Sequence, residues 1–129
     1  MNISNYLLSI SSKKIKYGLM RTKQLLSACN NPHKKIYSIQ IAGTNGKGSV
    51  SALLSNILAQ GGYKVGLFSS PHLIKLNERI RINNQLIPDD MIKEFVVQYQ
   101  DDIKKIEPSF FELLTVISIW YFNKKQVDY

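Results

Sequence analysis

Residues 43–49 read Gly43-Thr44-Asn45-Gly46-Lys47-Gly48-Ser49, three glycines with one lysine and two hydroxyls. That set suits the binding of phosphate. Glycine adopts φ > 0 readily, so successive backbone N–H groups turn inward and form a concave anion site. A lysine ammonium reaches a β- or γ-phosphate, and a serine hydroxyl ligates Mg²⁺. Lys47 and Ser49 are the candidates for those tasks. The loop is not a strict Walker A sequence, since Ile41 stands where the first glycine would be and Gly48 is inserted between lysine and serine. By spacing alone such a loop also reads as a tight corner, so the flanking elements decide.

Those elements suit a cradle. Residues 36–41 (Ile-Tyr-Ser-Ile-Gln-Ile) read as a short apolar strand. After the loop, Val50, Leu53, Leu54, Ile57 and Leu58 recur at helical spacing as an apolar stripe, and Gly61-Gly62 ends the helix. The start of that helix adds orphan N–H donors and a partial positive charge. Val65-Gly66-Leu67-Phe68 reads as a second buried strand. Strand, helix and strand in this length predict a right-handed parallel βαβ unit, with ligands at the carboxyl ends of the strands. Ser69-Ser70-Pro71-His72 would then share a rim with the glycine loop.

Beyond that loop come Lys75, Asn77, Glu78, Arg79 and Arg81, with Ile80 and Ile82 alternating among them. Asn83-Asn84 before Leu86-Ile87 predicts a small hairpin. Glu78 and Arg79 read either as a solvated strand edge or as binding groups. Asp89 and Asp90 open a helix whose face carries Ile92, Phe95, Val96, Tyr99, Ile103 and Ile106, ending at Glu107-Pro108. Ser109 and Glu112 form a capping box, which gives Glu112 a structural task ahead of a catalytic one. Residues 113–122 are apolar nearly all round, so this helix needs burial on several sides. Val127-Asp128-Tyr129 opens a third strand.

At the front, residues 6–8 and 19–29 read as two amphipathic helices joined by Ser11-Ser12-Lys13-Lys14. Thr22, Leu25, Leu26 and Cys29 share a face of the second, and Asn30-Asn31-Pro32 stops it. Cys29 reads as a small core residue, with no activating partner in view.

The composition narrows the classes. With 129 residues, 44% hydrophobic and 20% charged, the chain suits one small folded domain and not wholesale disorder. A single cysteine excludes a disulfide framework and points to a reducing compartment. No run approaches a membrane span, and the first residues lack the pattern of a secretory signal, so the expected location is cytoplasmic. The formal charge is +8, from 17 Lys+Arg against 9 Asp+Glu. The basic residues are scattered, mostly lysine, and free of interleaved aromatics, which argues against a nucleic-acid partner and favours a generally lysine-, isoleucine- and asparagine-rich composition as the source of the charge.

Several separated segments together resemble the folylpolyglutamate synthase/dihydrofolate synthase family of the Mur ligase superfamily. They are residues 41–49, Ser69-Ser70-Pro71-His72-Leu73, Asn77-Glu78-Arg79-Ile80-Arg81-Ile82 and Phe110-Phe111-Glu112. Asn31-Pro32-His33 and Val127-Asp128 also fit its pattern. The resemblance accounts for both departures from Walker A. It implies an α/β fold, a three-layer P-loop-type domain with a parallel sheet, of which residues 1–129 are the N-terminal part of the ATP-binding domain. The rest of that domain and a C-terminal domain would follow. It also implies ATP and Mg²⁺ as cofactors, and dihydropteroate or folate with L-glutamate as small-molecule substrates of an intact monomer.

By match to the family motif, Gly43, Thr44, Asn45, Gly46, Lys47 and Gly48 wrap the phosphates, with Lys47 catalytic and Ser49 on the metal as well as the nucleotide. Ser70, Pro71, His72, Asn77, Glu78 and Arg79 match a mobile loop beside the folate site and are carried over as substrate contacts. The second metal-binding glutamate of the family has no counterpart here, so the expectation is ligase activity for an intact protein and none for this chain alone. An inactive or regulatory nucleotide-binding fragment and another Mur-type ligase are the competing readings.

Overall fold

The computed structural model describes residues 3–10 and 15–129. The predicted link at residues 11–14 lies outside the described residues.

The core forms around a long apolar helix, α6 (Phe110–Lys124). Its entry is capped as the sequence requires: Ser109 N–H donates to Glu112 Oε2 at 2.7 Å, and Glu112 N–H to Ser109 Oγ at 3.3 Å. Leu113, Leu114, Val116, Ile117, Ser118, Trp120, Tyr121 and Phe122 are all buried. Four further helices belong to the same core: α1 (Ile3–Ile10), α2 (Met20–Ala28), α4 (Asp89–Gln98) and α5 (Gln100–Ile106). Of these, α2 and α4 pack directly on α6, together with the 3-10 turn Pro32–Lys35. The burial on several sides that this helix needs thus comes largely from other helices.

Leu25, Leu26 and Cys29 of the predicted α2 face are buried in that core. Burial, reinforced by the charge of Asp102, pushes the Cys29 thiol up to about 12, so it stays a protonated core group. The single helix predicted over residues 89–106 is instead two, because Tyr99 (φ −113°, ψ 22°) leaves helical values between α4 and α5.

The sheet differs more. Its three strands, β1 (Gly66–Phe68), β2 (Ile80–Ile82) and β3 (Gln85–Leu86), lie in that order and are antiparallel throughout. Asn83 and Asn84 both have positive φ (45° and 67°), as a two-residue hairpin turn demands. The predicted hairpin is present. The predicted parallel pairing is not, and residues 36–41 pair with no strand among the described residues. The cause is distance: a groove of about 590 Å³ lies between residues 36–41 and β1, lined also by Leu54, Leu58 and Phe122. Without a neighbouring strand, Tyr37 and Ile39 stay exposed.

Helix α3 (Lys47–Gln60) shows the same gap. Leu54 and Leu58 turn toward the groove, but Val50, Leu53 and Ile57 of the predicted buried stripe are 49–65% exposed. Val127-Asp128-Tyr129 enters beside β1 in the parallel sense. Asp128 N–H donates to Lys64 O (2.7 Å), and Gly66 N–H to Tyr129 O (2.8 Å). Residues 127–129 form no strand, so the third strand expected there is present only as these contacts.

Candidate functional site

The glycine loop is built from backbone conformation. Gly43 (φ 153°) and Gly46 (φ 76°) take values that side-chain-bearing residues rarely adopt, and Gly46 is the N-cap of α3. Val50 N–H closes the first helical bond to Gly46 O at 3.0 Å. The N–H groups of Lys47, Gly48 and Ser49 precede it and find no backbone acceptor among the described residues, so the helix dipole ends in three open donors. Lys47 curls back over the loop, its Nζ donating to Gly43 O at 2.7 Å and reaching Thr44 O at 3.5 Å. Residues 42–50 are exposed, and the Ser49 hydroxyl has no partner among the described residues.

Gly48 is the informative position. A Cβ built there meets nothing within 4 Å. Glycine inside a helix is less stable than alanine by about 0.5–1 kcal/mol. Nothing packed against this position among the described residues requires a glycine.

The second candidate loop follows β1 through a cis Ser70–Pro71 peptide. Glu78, in the 3-10 turn Leu76–Arg79, folds it. Its carboxylate accepts N–H bonds from Lys75 (2.7 Å), Ile74 (2.9 Å) and Leu73 (3.0 Å). Those bonds, Lys75 foremost, lower its pKa to about 2. Arg79 donates through Nε to His72 Nδ1 at 2.7 Å, and its guanidinium stands 5.9 Å from the centre of the Phe110 ring. Asn77 donates to Ile87 O (2.7 Å) and to Asp89 Oδ1 (2.8 Å). Asn77, Glu78 and Arg79 are thus each engaged inside the protein, while Ser70 and Pro71 are exposed.

Several pairings were not visible from spacing. Arg21 Nη2 lies 2.9 Å from Glu112 Oε2, with both side chains largely buried, and Arg21 Nη1 donates to Glu107 O at 3.0 Å. Arg81 Nε donates to Glu78 O at 2.9 Å. Phe110 carries Arg79 while Phe111 stacks at 5.8 Å on Phe68. Among the described residues no cluster of three or more His, Cys, Asp or Glu is placed to hold a metal, and no helix is long and apolar enough to cross a membrane.

No family model matches the chain. Individual relatives do. The dihydrofolate synthase/folylpolyglutamate synthase of Bacillus subtilis is 39% identical over 122 residues, 89% of this chain and 28% of the relative. The folylpolyglutamate synthase of Thermotoga maritima superposes with a TM-score of 0.87 at 40% identity, covering 98% of this chain and 30% of that one. The chain belongs to the folylpolyglutamate synthase/dihydrofolate synthase family. A third match, Escherichia coli FolC in complex with DHPP and ADP, has a TM-score of 0.86 at 32% identity over 99% of this chain and 32% of that one. Relatives so named are ligases. The chain spans less than one third of the length of these curated relatives.

Proposed function

We propose that this chain supplies the phosphate-binding part of an ATP-dependent amide ligase that adds L-glutamate to dihydropteroate or folate. An unactivated carboxylate is a poor acyl donor. ATP would phosphorylate it, giving an acyl phosphate and ADP; the glutamate amine would then attack the carbonyl carbon and expel phosphate, leaving an amide. Most of the chain's contribution is positioning and charge neutralisation. Gly43, Thr44, Asn45, Gly46 and Gly48 would surround the phosphates, with Lys47 Nζ leaving Gly43 O for the transferring phosphate. The free Ser49 hydroxyl fits Mg²⁺, which would neutralise phosphate charge.

The observation that carries this reading is the glycine loop: three unpaired N–H donors, a lysine resting on its own loop, and Gly48 open to the outside. The ADP in the E. coli FolC complex supports it. We also read the chain as the first part of the ATP-binding domain, with the groove beside β1 sized for a further strand.

A chimera tests the proposal. This chain would replace the matching segment of the B. subtilis relative, and glutamate incorporation would be measured with dihydropteroate, folate and a nucleotide-linked cell-wall precursor. ATP-dependent addition to a folate substrate, abolished by Lys47→Ala, is the expected result. A folded chimera active only on the cell-wall precursor would indicate another Mur-type ligase. A folded, nucleotide-binding but inactive chimera would indicate a binding module.

A further inference from the structure

The loop after β1 holds its polar groups unequally. The Glu78 carboxylate is occupied by the N–H groups of residues 73–75, and the Asn77 amide by Ile87 O and Asp89. Arg79 is fixed on three sides: its carbonyl accepts from Ser69 N–H at 3.0 Å, its guanidinium lies by Phe110, and its Nε–H is directed at His72. His72 differs. Its Nδ1 is taken, but no described group engages its Nε2.

We propose that Arg79 is a positioning residue that fixes the His72 ring so that Nε2–H projects as a donor to an oxygen acceptor of the substrate, a carbonyl or carboxylate oxygen. The substrate half of this proposal rests on the folate-ligase reading above. The chemistry follows from donor and acceptor inventories. A guanidinium only donates, so the ring nitrogen facing Arg79 Nε at 2.7 Å carries no proton. The neutral ring then has its one N–H at Nε2.

This polarity also separates His72 from a metal ligand. A ligating histidine donates its second ring N–H to a carboxylate or carbonyl, whereas here that nitrogen faces a cationic donor. Glu78 acts one step further back. By gathering the N–H groups of residues 73–75 it sets the turn that brings His72 and Arg79 together, and Leu73 and Ile74 within that turn are exposed (90% and 86%).

Nitrogen-15 NMR of the 129-residue chain tests the positioning directly. The expected spectrum has an unprotonated Nδ1 and a protonated Nε2 at His72, with a coupling across the hydrogen bond from Arg79 Nε. Arg79→Lys, which keeps the charge near Phe110, should fold normally and lose that coupling. A proton on Nδ1, or no coupling in the unsubstituted chain, overturns the proposal. Titration with dihydropteroate tests the donor. His72→Gln, whose amide nitrogen reaches the Nε2 position, should bind within a few-fold of the original. His72→Phe should bind on the order of tenfold more weakly. Equal binding by His72→Phe overturns the donor role. An unsubstituted chain that shows the ring pattern but binds neither dihydropteroate nor folate overturns the folate reading, and the substrate half with it, while Arg79 stands as the residue that orients His72.

Discussion

The Lys47 ammonium rests 2.7 Å from the carbonyl oxygen of Gly43, four residues behind it on the same loop. A carbonyl oxygen carries only a partial charge, so a phosphate with its full negative charge attracts the ammonium more strongly. The contact therefore keeps the lysine over the cradle without blocking it.

Gly48 should separate folding from binding. Because its Cβ direction is empty, Gly48→Ala is expected to leave the thermal midpoint unchanged or raise stability by about 0.5–1 kcal/mol. Nucleotide affinity should nevertheless fall on the order of tenfold, as the methyl group keeps phosphate from the N–H donors. Calorimetry of folding and of ATP binding measures both. Unchanged affinity would mean that the ligand does not approach there.

Arg21 and Glu112 join α2 to the entry of α6 across 91 residues of sequence, with side chains only 8% and 14% exposed. Removing one partner of such a pair leaves a buried charge, at about 3–5 kcal/mol. Arg21→Met should therefore lower urea-unfolding stability by about 3 kcal/mol, and adding Glu112→Gln should recover part of it. Additive losses in the double variant would show that the two groups do not interact.

Glu78 predicts an acid-sensitive loop. Its folded pKa of about 2 lies below the usual 4.5, so its contribution is present above pH 4.5 and lost as the pH falls from 4.5 through about 2. The carboxyl signal should titrate near pH 2, and the Leu73, Ile74 and Lys75 amide resonances should move with it. In Glu78→Gln those amide movements should vanish. A midpoint near 4.5 would show that the three N–H bonds do not form in solution.

Gly66 is confined by its neighbour rather than by its own backbone. A Cβ there would lie 2.7 Å from the Phe122 ring, which is itself buried. Gly66→Ala should cost about 1–3 kcal/mol by overpacking, and Gly66→Ala with Phe122→Leu should regain stability. Equal stability of Gly66→Ala and the original in urea would show that the ring moves freely.

What the sequence revealed follows the range of the forces involved. Local rules identified the Ser109–Glu112 cap, the Asn83-Asn84 hairpin turn and the buried face of α2, because each depends on residues within a few positions. The strand at residues 36–41 was misjudged for the opposite reason. Its apolar pattern is real, but a strand exists only with a partner, and across the groove the described residues offer none. Likewise Val50, Leu53 and Ile57 form a stripe that stays 49–65% exposed. At the site, the glycine loop was legible from residue types, whereas the internal engagement of Asn77, Glu78 and Arg79 depends on tertiary geometry.

The central claim is that residues 43–49 bind the phosphates of ATP, and amide NMR during titration of the chain with Mg·ATP tests it most directly. The account predicts the largest shifts at Gly46, Lys47, Gly48 and Ser49, and their loss in Lys47→Ala with the rest of the spectrum preserved. Saturable shifts that leave this loop untouched, or that persist in Lys47→Ala, would contradict it.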